Sequence, residues 1–414
     1  MLALGKTIVA MIASYKAVKS NYQVAMLAPT MILAKQHLEN FNKILSRYGI
    51  ECDILVGGMT KKEKESALEK IENGKTNIII GTHALLEENV KFKNLGLAIT
   101  DEQHRFGVKQ RSTIVSKGKN PDVLVMTATP IPRTLALILY GDLDISIIDE
   151  LPPNRKKIET IAVSNKMTDR INEFIKKEIN NGRQAYIVCP LVEEDDGLIE
   201  NDENQMEFDL NNNNKLEDVT SLGKKLKEET FKDYNVEILH GKMKSKDKDR
   251  IMQDFKDKKI DILVSTTVIE VGVDVENASI MVIENAERFG LAQLHQLRGR
   301  VGRGEYKSYC ILKYGTNGAN TKERMKTMCE NDNGMKIAEK DLELRGSGDF
   351  FGTAQHGLPE FKITNLYTDV EELKEVQSLA ISIMGKDPNL KLKENEELKQ
   401  LVNKNFISKE KITI

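Results

Sequence analysis

Two carboxylates stand side by side at Asp101-Glu102, directly after the apolar run Leu95-Gly96-Leu97-Ala98-Ile99. Such a run reads as a buried strand, so both acids fall at its carboxyl end, where open α/β sheets bind ligands. There Asp101 can hold Mg2+ and Glu102 can polarise an attacking water, with His104 inside the same segment Asp101-Glu102-Gln103-His104. Related chemistry lies near the start, where Gly5-Lys6-Thr7 precedes the apolar stretch Ile8–Ala13. In a phosphate loop the backbone amides, here those around Gly5, wrap the phosphates. The lysine neutralises the β and γ groups, and the threonine hydroxyl ligates Mg2+. The full pattern asks for a further glycine five residues before Gly5, ahead of Met1.

Opposite charge is concentrated at Gln296-Leu297-Arg298-Gly299-Arg300-Val301-Gly302-Arg303. Glycine costs about 1 kcal/mol in a helix interior and guanidinium groups resist unpaired burial, so this is neither a good helix nor a good core. Arg300 and Arg303 read as fingers that reach the γ-phosphate of a nucleotide bound by the other half of the chain, with Gln296 beside that nucleotide. Just upstream, Ser265 to Asp274 supplies a strand end, hydroxyls, Gly272 and a carboxylate. Asp274 can contact the ribose and Thr266 a DNA phosphate, and either can equally cap a helix. Thr127-Ala128-Thr129-Pro130 closes a strand at the same edge as Asp101. Thr127 and Thr129 there can relay nucleotide state or serve as caps. His83, His104, His240, His295 and His356 do not cluster at metal spacing, and no zinc site is expected.

The elements that must carry these residues come as two similar series of short β-type runs alternating with helical patterns, the mark of parallel sheets with crossover helices. The first series has strands at 24–28, 54–56, 77–80, 97–100 and 123–127, with helices at 31–48 and 61–72. The second has strands at 185–188, 236–239, 262–265, 280–283 and 308–312, with helices at 169–180, 222–231 and 245–255. Pro152-Pro153-Asn154 between the series reads as a linker. The fold class is therefore α/β, with two RecA-like parallel-sheet domains at 1–150 and 155–315. A mostly helical region at 316–414 follows. Residues 195–214, rich in Asn, Asp and Glu, are expected to be a mobile insertion in the second domain.

With 414 residues there is room for two or three domains, and a hydrophobic fraction of 40% suits a globular chain. Lys+Arg 61 against Asp+Glu 63 gives a net charge of −2, so any nucleic-acid surface must be local. The four cysteines lack CxxC spacing, which points to a reducing compartment. No apolar stretch is long enough to span a bilayer and no signal-peptide pattern opens the chain, so a cytoplasmic protein without membrane contact is expected.

Taken in order, Gly5-Lys6-Thr7, Asp101-Glu102-Gln103-His104, Thr127-Ala128-Thr129 and Gln296 to Arg303 resemble the helicase motifs of superfamily 2. Finer wording resembles the RecG branch-migration helicases: Leu27-Ala28-Pro29-Thr30 with Gln36-His37, Gly81-Thr82-His83-Ala84-Leu85, His104-Arg105-Phe106-Gly107 and Thr129-Pro130-Ile131-Pro132-Arg133. Downstream, Asp341-Leu342-Glu343-Leu344-Arg345-Gly346 and Gly352-Thr353-Ala354-Gln355 resemble a translocation element shared by RecG and Mfd. The resemblance implies that Arg324 and Arg345 link a helical hairpin and that Gln355 drives the following loop toward DNA. It also implies an ATP-dependent, Mg2+-using DNA helicase, a likeness that extends to a monomer acting on forks and Holliday junctions. Its wedge domain and adenine-reading segment have no counterpart here, Ala3-Leu4 stand where the family has glycine and serine, and Ala354 replaces a usual basic residue. The chain is thus expected to be a carboxy-terminal fragment or a gene model begun too late. The rival readings are an Mfd-like transcription-repair translocase and a non-catalytic DNA-binding fragment.

Overall fold

The computed structural model describes residues 4–103, 106–127, 143–148, 156–190, 219–266, 275–316, 318–349 and 370–404. In the first half, β1 (Gln23–Leu27), β2 (Cys52–Leu55), β3 (Ile78–Gly81), β4 (Leu95–Asp101) and β5 (Asp122–Met126) form one sheet in the order β2-β3-β1-β4-β5, all neighbours parallel. Runs such as Ile78-Ile79-Ile80 have no polar alternation because both faces of a parallel sheet are covered. Successive residues divide between the two faces. Val24, Met26, Ile78, Ile80 and Ile99 pack on one side with Ala10 and Phe41. Ala25, Leu27, Ile79 and Ala98 pack on the other with Ala67 and Ile71.

Three helices cover this sheet and position its carboxyl edge. Helix α1 (Leu4–Lys19) takes Gly5, Lys6 and Thr7 into its first turn, so it begins earlier than the apolar stretch Ile8–Ala13 suggests. Helix α2 (Met31–Leu45) starts where the Thr30 side chain accepts the Leu33 amide, and it buries Leu33, Ala34, His37, Phe41 and Leu45 at helical spacing. Helix α3 (Lys61–Asn73) has a Thr60–Glu63 capping box and ends at Gly74, whose φ of 78° suits glycine. A shorter helix, α4 (Val108–Val115), precedes β5.

The second half repeats this plan with one strand added. β6 (Ile158–Ser164), β7 (Gln184–Val188), β8 (Val236–Leu239), β9 (Ile262–Ser265), β10 (Ala278–Ile283) and β11 (Ser308–Tyr314) lie in the order β6-β11-β10-β7-β9-β8, again all parallel. Its helices include α5 (Thr168–Asn180), α6 (Val219–Lys225), α7 (Ser245–Lys256) and α8 (Leu291–Arg298). Sequence reading missed β6, an edge strand whose residues are half-buried or exposed throughout, so no buried run marks it. It also read 222–231 as one helix, whereas α6 starts at Val219 and gives way at Leu226–Thr230 to a π-helical turn.

Side chains show the repeat as clearly as the strand order does. The first residue of β1, Gln23, donates to the carbonyls of Ile71 (2.9 Å) and Thr76 (3.0 Å). The first residue of β7, Gln184, donates to those of Phe255 (2.7 Å) and Ile260 (2.6 Å). In each sheet a buried amide thus ties the central strand to the end of the helix that crosses to its neighbour.

Both sheets belong to one compact unit, residues 1–130 with 148–337; residues 131–147 and 338–414 form a second. Beyond β11 come α9 (Ala319–Glu330), α10 (Gly334–Asp349), α11 (Val370–Lys386) and α12 (Glu396–Val402). In the second unit the Asp387 carboxylate accepts the amides of Lys391 and Leu392 and the Asn395 side chain, closing the turn between α11 and α12. The expected linker at Pro152-Pro153-Asn154 and the expected insertion at 195–214 lie outside the described residues. Among the described residues no helix is long and apolar enough to cross a membrane.

Replacing Gln184 by alanine leaves two buried carbonyls without their donor, at about 1–3 kcal/mol each. Gln184→Ala should lower unfolding stability by about 2–6 kcal/mol in urea titrations. A loss within error of zero would show that the carbonyls are satisfied another way.

Candidate nucleotide site

Asp101 ends β4 and is buried, at 6% exposure. Its Oδ1 accepts the Glu102 amide at 3.0 Å, and its Oδ2 lies 2.9 Å from Nε2 of His37 on α2. From the first turn of α1, Lys6 Nζ stands 3.8 Å from Asp101 Oδ1 and 3.6 Å from Glu102 Oε1, so one ammonium serves both acids. Burial by itself pushes the Asp101 carboxyl up. The hydrogen bond to His37, the Lys6 and His37 charges and the Glu102 amide together outweigh it and hold the group below its ordinary value of 3.8. Glu102 has φ of 51°, in the left-handed region that costs a non-glycine residue roughly 1–2 kcal/mol. Such strain is kept where function needs a side chain aimed against local preference.

These groups open onto a cleft of about 710 Å³. Lys6, Thr7, His37, Asp101 and Glu102 line one wall; Arg300 and Arg303 line the other, with Glu276. The volume is in the range of sites that take a small molecule, roughly 300–1,000 Å³. Arg300 follows the end of α8 and is 6% exposed. Between the arginines the chain turns at Gly302, whose φ of 75° and near contact with Ile158, 2.8 Å from a Cβ placed there, leave room only for glycine. Tyr186 of β7 is fully buried; burial pushes its phenol up, and the charges of Arg300 and Arg303 act in the opposite sense.

The structure therefore brings Lys6, Thr7, Asp101 and Glu102 to the same crevice as Arg300 and Arg303. Gly5 lies beside them in α1. Gln296, expected beside the nucleotide, is instead buried inside α8 and is not one of the residues lining the cleft. Thr127 follows β5 at the same sheet edge as Asp101, which pairs with Met126. Thr266 follows β9, is buried, and its hydroxyl has no partner among the described groups. Arg324 on α9 donates to the carbonyls of Glu287 and Phe289, just ahead of α8. His104, Thr129, Gly272, Asp274 and Gln355 lie outside the described residues, as does the side chain of Arg345.

Two residues that sequence reading did not assign now have places. His37 meets Asp101, and the signal for it was a histidine inside the otherwise apolar stripe of α2. Arg298, read only as part of the basic run, is 3% exposed and donates to the carbonyls of Met328 (2.8 Å) and Asn331 (2.9 Å). With Arg324 it makes a reciprocal clasp: the end of α8 holds the end of α9, and α9 holds the segment that leads into α8.

Fold and cleft define the class, paired RecA-like α/β domains around one cleft. Residues 2–138 match the DEAD/DEAH box helicase family and residues 166–305 the helicase conserved C-terminal domain. Residues 331–412 match ATP-dependent DNA helicase RecG, domain 3, C-terminal. The chain is 48% identical over 383 residues to the ATP-dependent DNA helicase RecG of Bacillus subtilis, covering 92% of this chain and 54% of that protein. It is 47% identical over 370 residues to the protein of the same description from Thermotoga maritima, covering 89% and 45%. A solved structure of RecG bound to a three-way DNA junction superposes with a TM-score of 0.70 at 44% identity, over 89% of this chain and 46% of that one. The chain is similar to these RecG proteins over about nine-tenths of its own length, and it spans about half of theirs.

The lowered carboxyl of Asp101 gives a pH dependence of definite sign. Its ionised form stabilises the fold above the ordinary value of 3.8, and that contribution is lost as pH falls through the lower folded-state value. Acid unfolding of Asp101→Asn should therefore show a shallower loss of stability below about pH 4 than the parent. Equal slopes in denaturant midpoints against pH would contradict the partnership with Lys6 and His37.

Proposed function

We propose that the chain is the motor of an ATP-dependent DNA helicase of branched DNA, binding and hydrolysing ATP in the cleft between its two sheets. The observation that carries this reading is the facing of Lys6, Asp101 and Glu102 by Arg300 and Arg303 across one crevice. In it Lys6 neutralises the β and γ phosphates, Glu102 orients the attacking water and accepts its proton, and the two guanidinium groups spread the charge that develops on the transferred phosphoryl group.

The donors also suit Mg2+, a hard cation that takes oxygen ligands and commonly uses one or two carboxylates plus substrate phosphates. Asp101 is a buried oxygen donor held ionised, and the Thr7 hydroxyl lines the same cleft. Bound there, Mg2+ would offset phosphate charge and orient the triphosphate.

Thr127 and Thr266, which directly follow β5 and β9, are assigned to the link between nucleotide state and DNA, together with Thr129. Gly272 and Asp274 are assigned to nucleotide binding and Arg345 and Gln355 to coupling with DNA, and His104 keeps its place beside the acids. The DNA substrates are forks and junctions, in keeping with the relative solved on a three-way junction. The match of residues 331–412 to the RecG domain favours this reading over a transcription-repair translocase.

Nucleotide titration of the chain tests the reading: micromolar affinity for ATP supports the motor, whereas millimolar or weaker binding supports a non-catalytic DNA-binding module. For the arginines, Arg303→Ala should lower DNA-stimulated ATP turnover by about 10³-fold or more. Turnover indifferent to that change would overturn the finger assignment.

A further inference from the structure

We propose that His37 is a positioning residue of the hydrolytic centre, fixing the rotation of the Asp101 carboxylate so that this oxygen donor meets the nucleotide-bound cation in one orientation. The inference rests on the reading of Asp101 as a Mg2+ ligand. A carboxylate's terminal torsion is broad, so its rotation must be set by partners. Here Oδ2 is held by the imidazole at 2.9 Å, while Oδ1 takes the Glu102 amide and faces Lys6.

Burial makes a merely incidental role hard to sustain. His37 is 4% exposed and occupies the core stripe of α2, between Ala34 and Phe41, where an aliphatic side chain would serve packing. An ionised carboxylate only accepts, so the proton in this contact sits on Nε2. The other ring nitrogen, Nδ1, is buried with no partner among the described groups, a cost of about 1–3 kcal/mol that the fold carries to place this ring. His37 also lines the cleft, and its partner comes from a strand end 64 residues away. It therefore connects the helix that forms one cleft wall with the carboxylate at the base of that wall. Groups that hydrogen-bond a metal's ligand in this manner typically change metal affinity by about 10–100-fold when removed.

The test is the Mg2+ dependence of binding of a fluorescent ADP to the whole chain. His37→Leu fills the stripe without a donor, and His37→Gln keeps an N–H of similar reach. His37→Leu should raise the Mg2+ concentration needed for half-maximal tightening by about 10–100-fold. The loss of affinity should be larger with Mg2+ than in excess EDTA, and His37→Gln should recover most of the Mg2+ response. A parent that responds to Mg2+ with a His37→Leu response equal to it overturns the positioning role alone. Equal losses with and without Mg2+ in both variants mark a purely structural residue and also overturn it. A parent indifferent to Mg2+ overturns the metal assignment of Asp101 itself, a failure visible without either variant.

Discussion

Two adjacent carboxylates at a buried strand end need a cation between them, and Lys6 supplies it. Unit charges about 4 Å apart interact by roughly 4 kcal/mol at an effective dielectric of 20, before desolvation is subtracted. Burial pushes the Asp101 carboxyl toward protonation, and the His37 hydrogen bond, the Lys6 charge and the Glu102 amide together keep the donor ionised. Everything else at the cleft presupposes this balance. Helix α1 must start at the sheet edge to bring Lys6 there, β4 must end at Asp101, and Glu102 must take its left-handed turn to face the same ammonium.

The second sheet contains a version of the same corner with a different outcome. Leu27 pairs with Thr100 in the first sheet and Val188 with Ile283 in the second, so Asp101-Glu102 and Glu284-Asn285 occupy equivalent places. Asn285, like Glu102, has positive φ, at 48°. Yet Glu284 is bound at 2.6 Å by Lys313 of the adjacent strand β11, with both side chains largely buried. That contact is a tight internal pair. In the first sheet Lys6 stays 3.6–3.8 Å from its acids, outside close hydrogen-bond distance and on the cleft wall, so its charge remains available to a phosphate. One corner is tied into the scaffold and the other opens onto the cleft.

Much of this was legible in the residues because burial on both faces writes strands as unbroken apolar runs, as at Ile78-Ile79-Ile80 and Ala278 to Ile283. The acids and arginines were legible because charge beside glycine or at a strand end has few other uses. What escaped notice depends on long-range pairing. β6 is recognisable only by its parallel register with β11. His37 looks like one polar interruption of a helix until β4 brings Asp101 to it, and Arg298 looks like its neighbours until α9 supplies the carbonyls that make burial tolerable. Gln296 is buried in α8 without lining the cleft, so its place in the basic run does not by itself fix its role.

In the proposed motor the two walls share one triphosphate, with the guanidinium groups of Arg300 and Arg303 at its γ end. Equilibrium affinities of the chain for a non-hydrolysable ATP analogue and for ADP, measured before and after both arginines are changed to alanine, address this most directly. The parent should prefer the triphosphate, and the double variant should lose that preference while binding ADP as before. A preference that survives unchanged in the double variant would contradict the shared pocket.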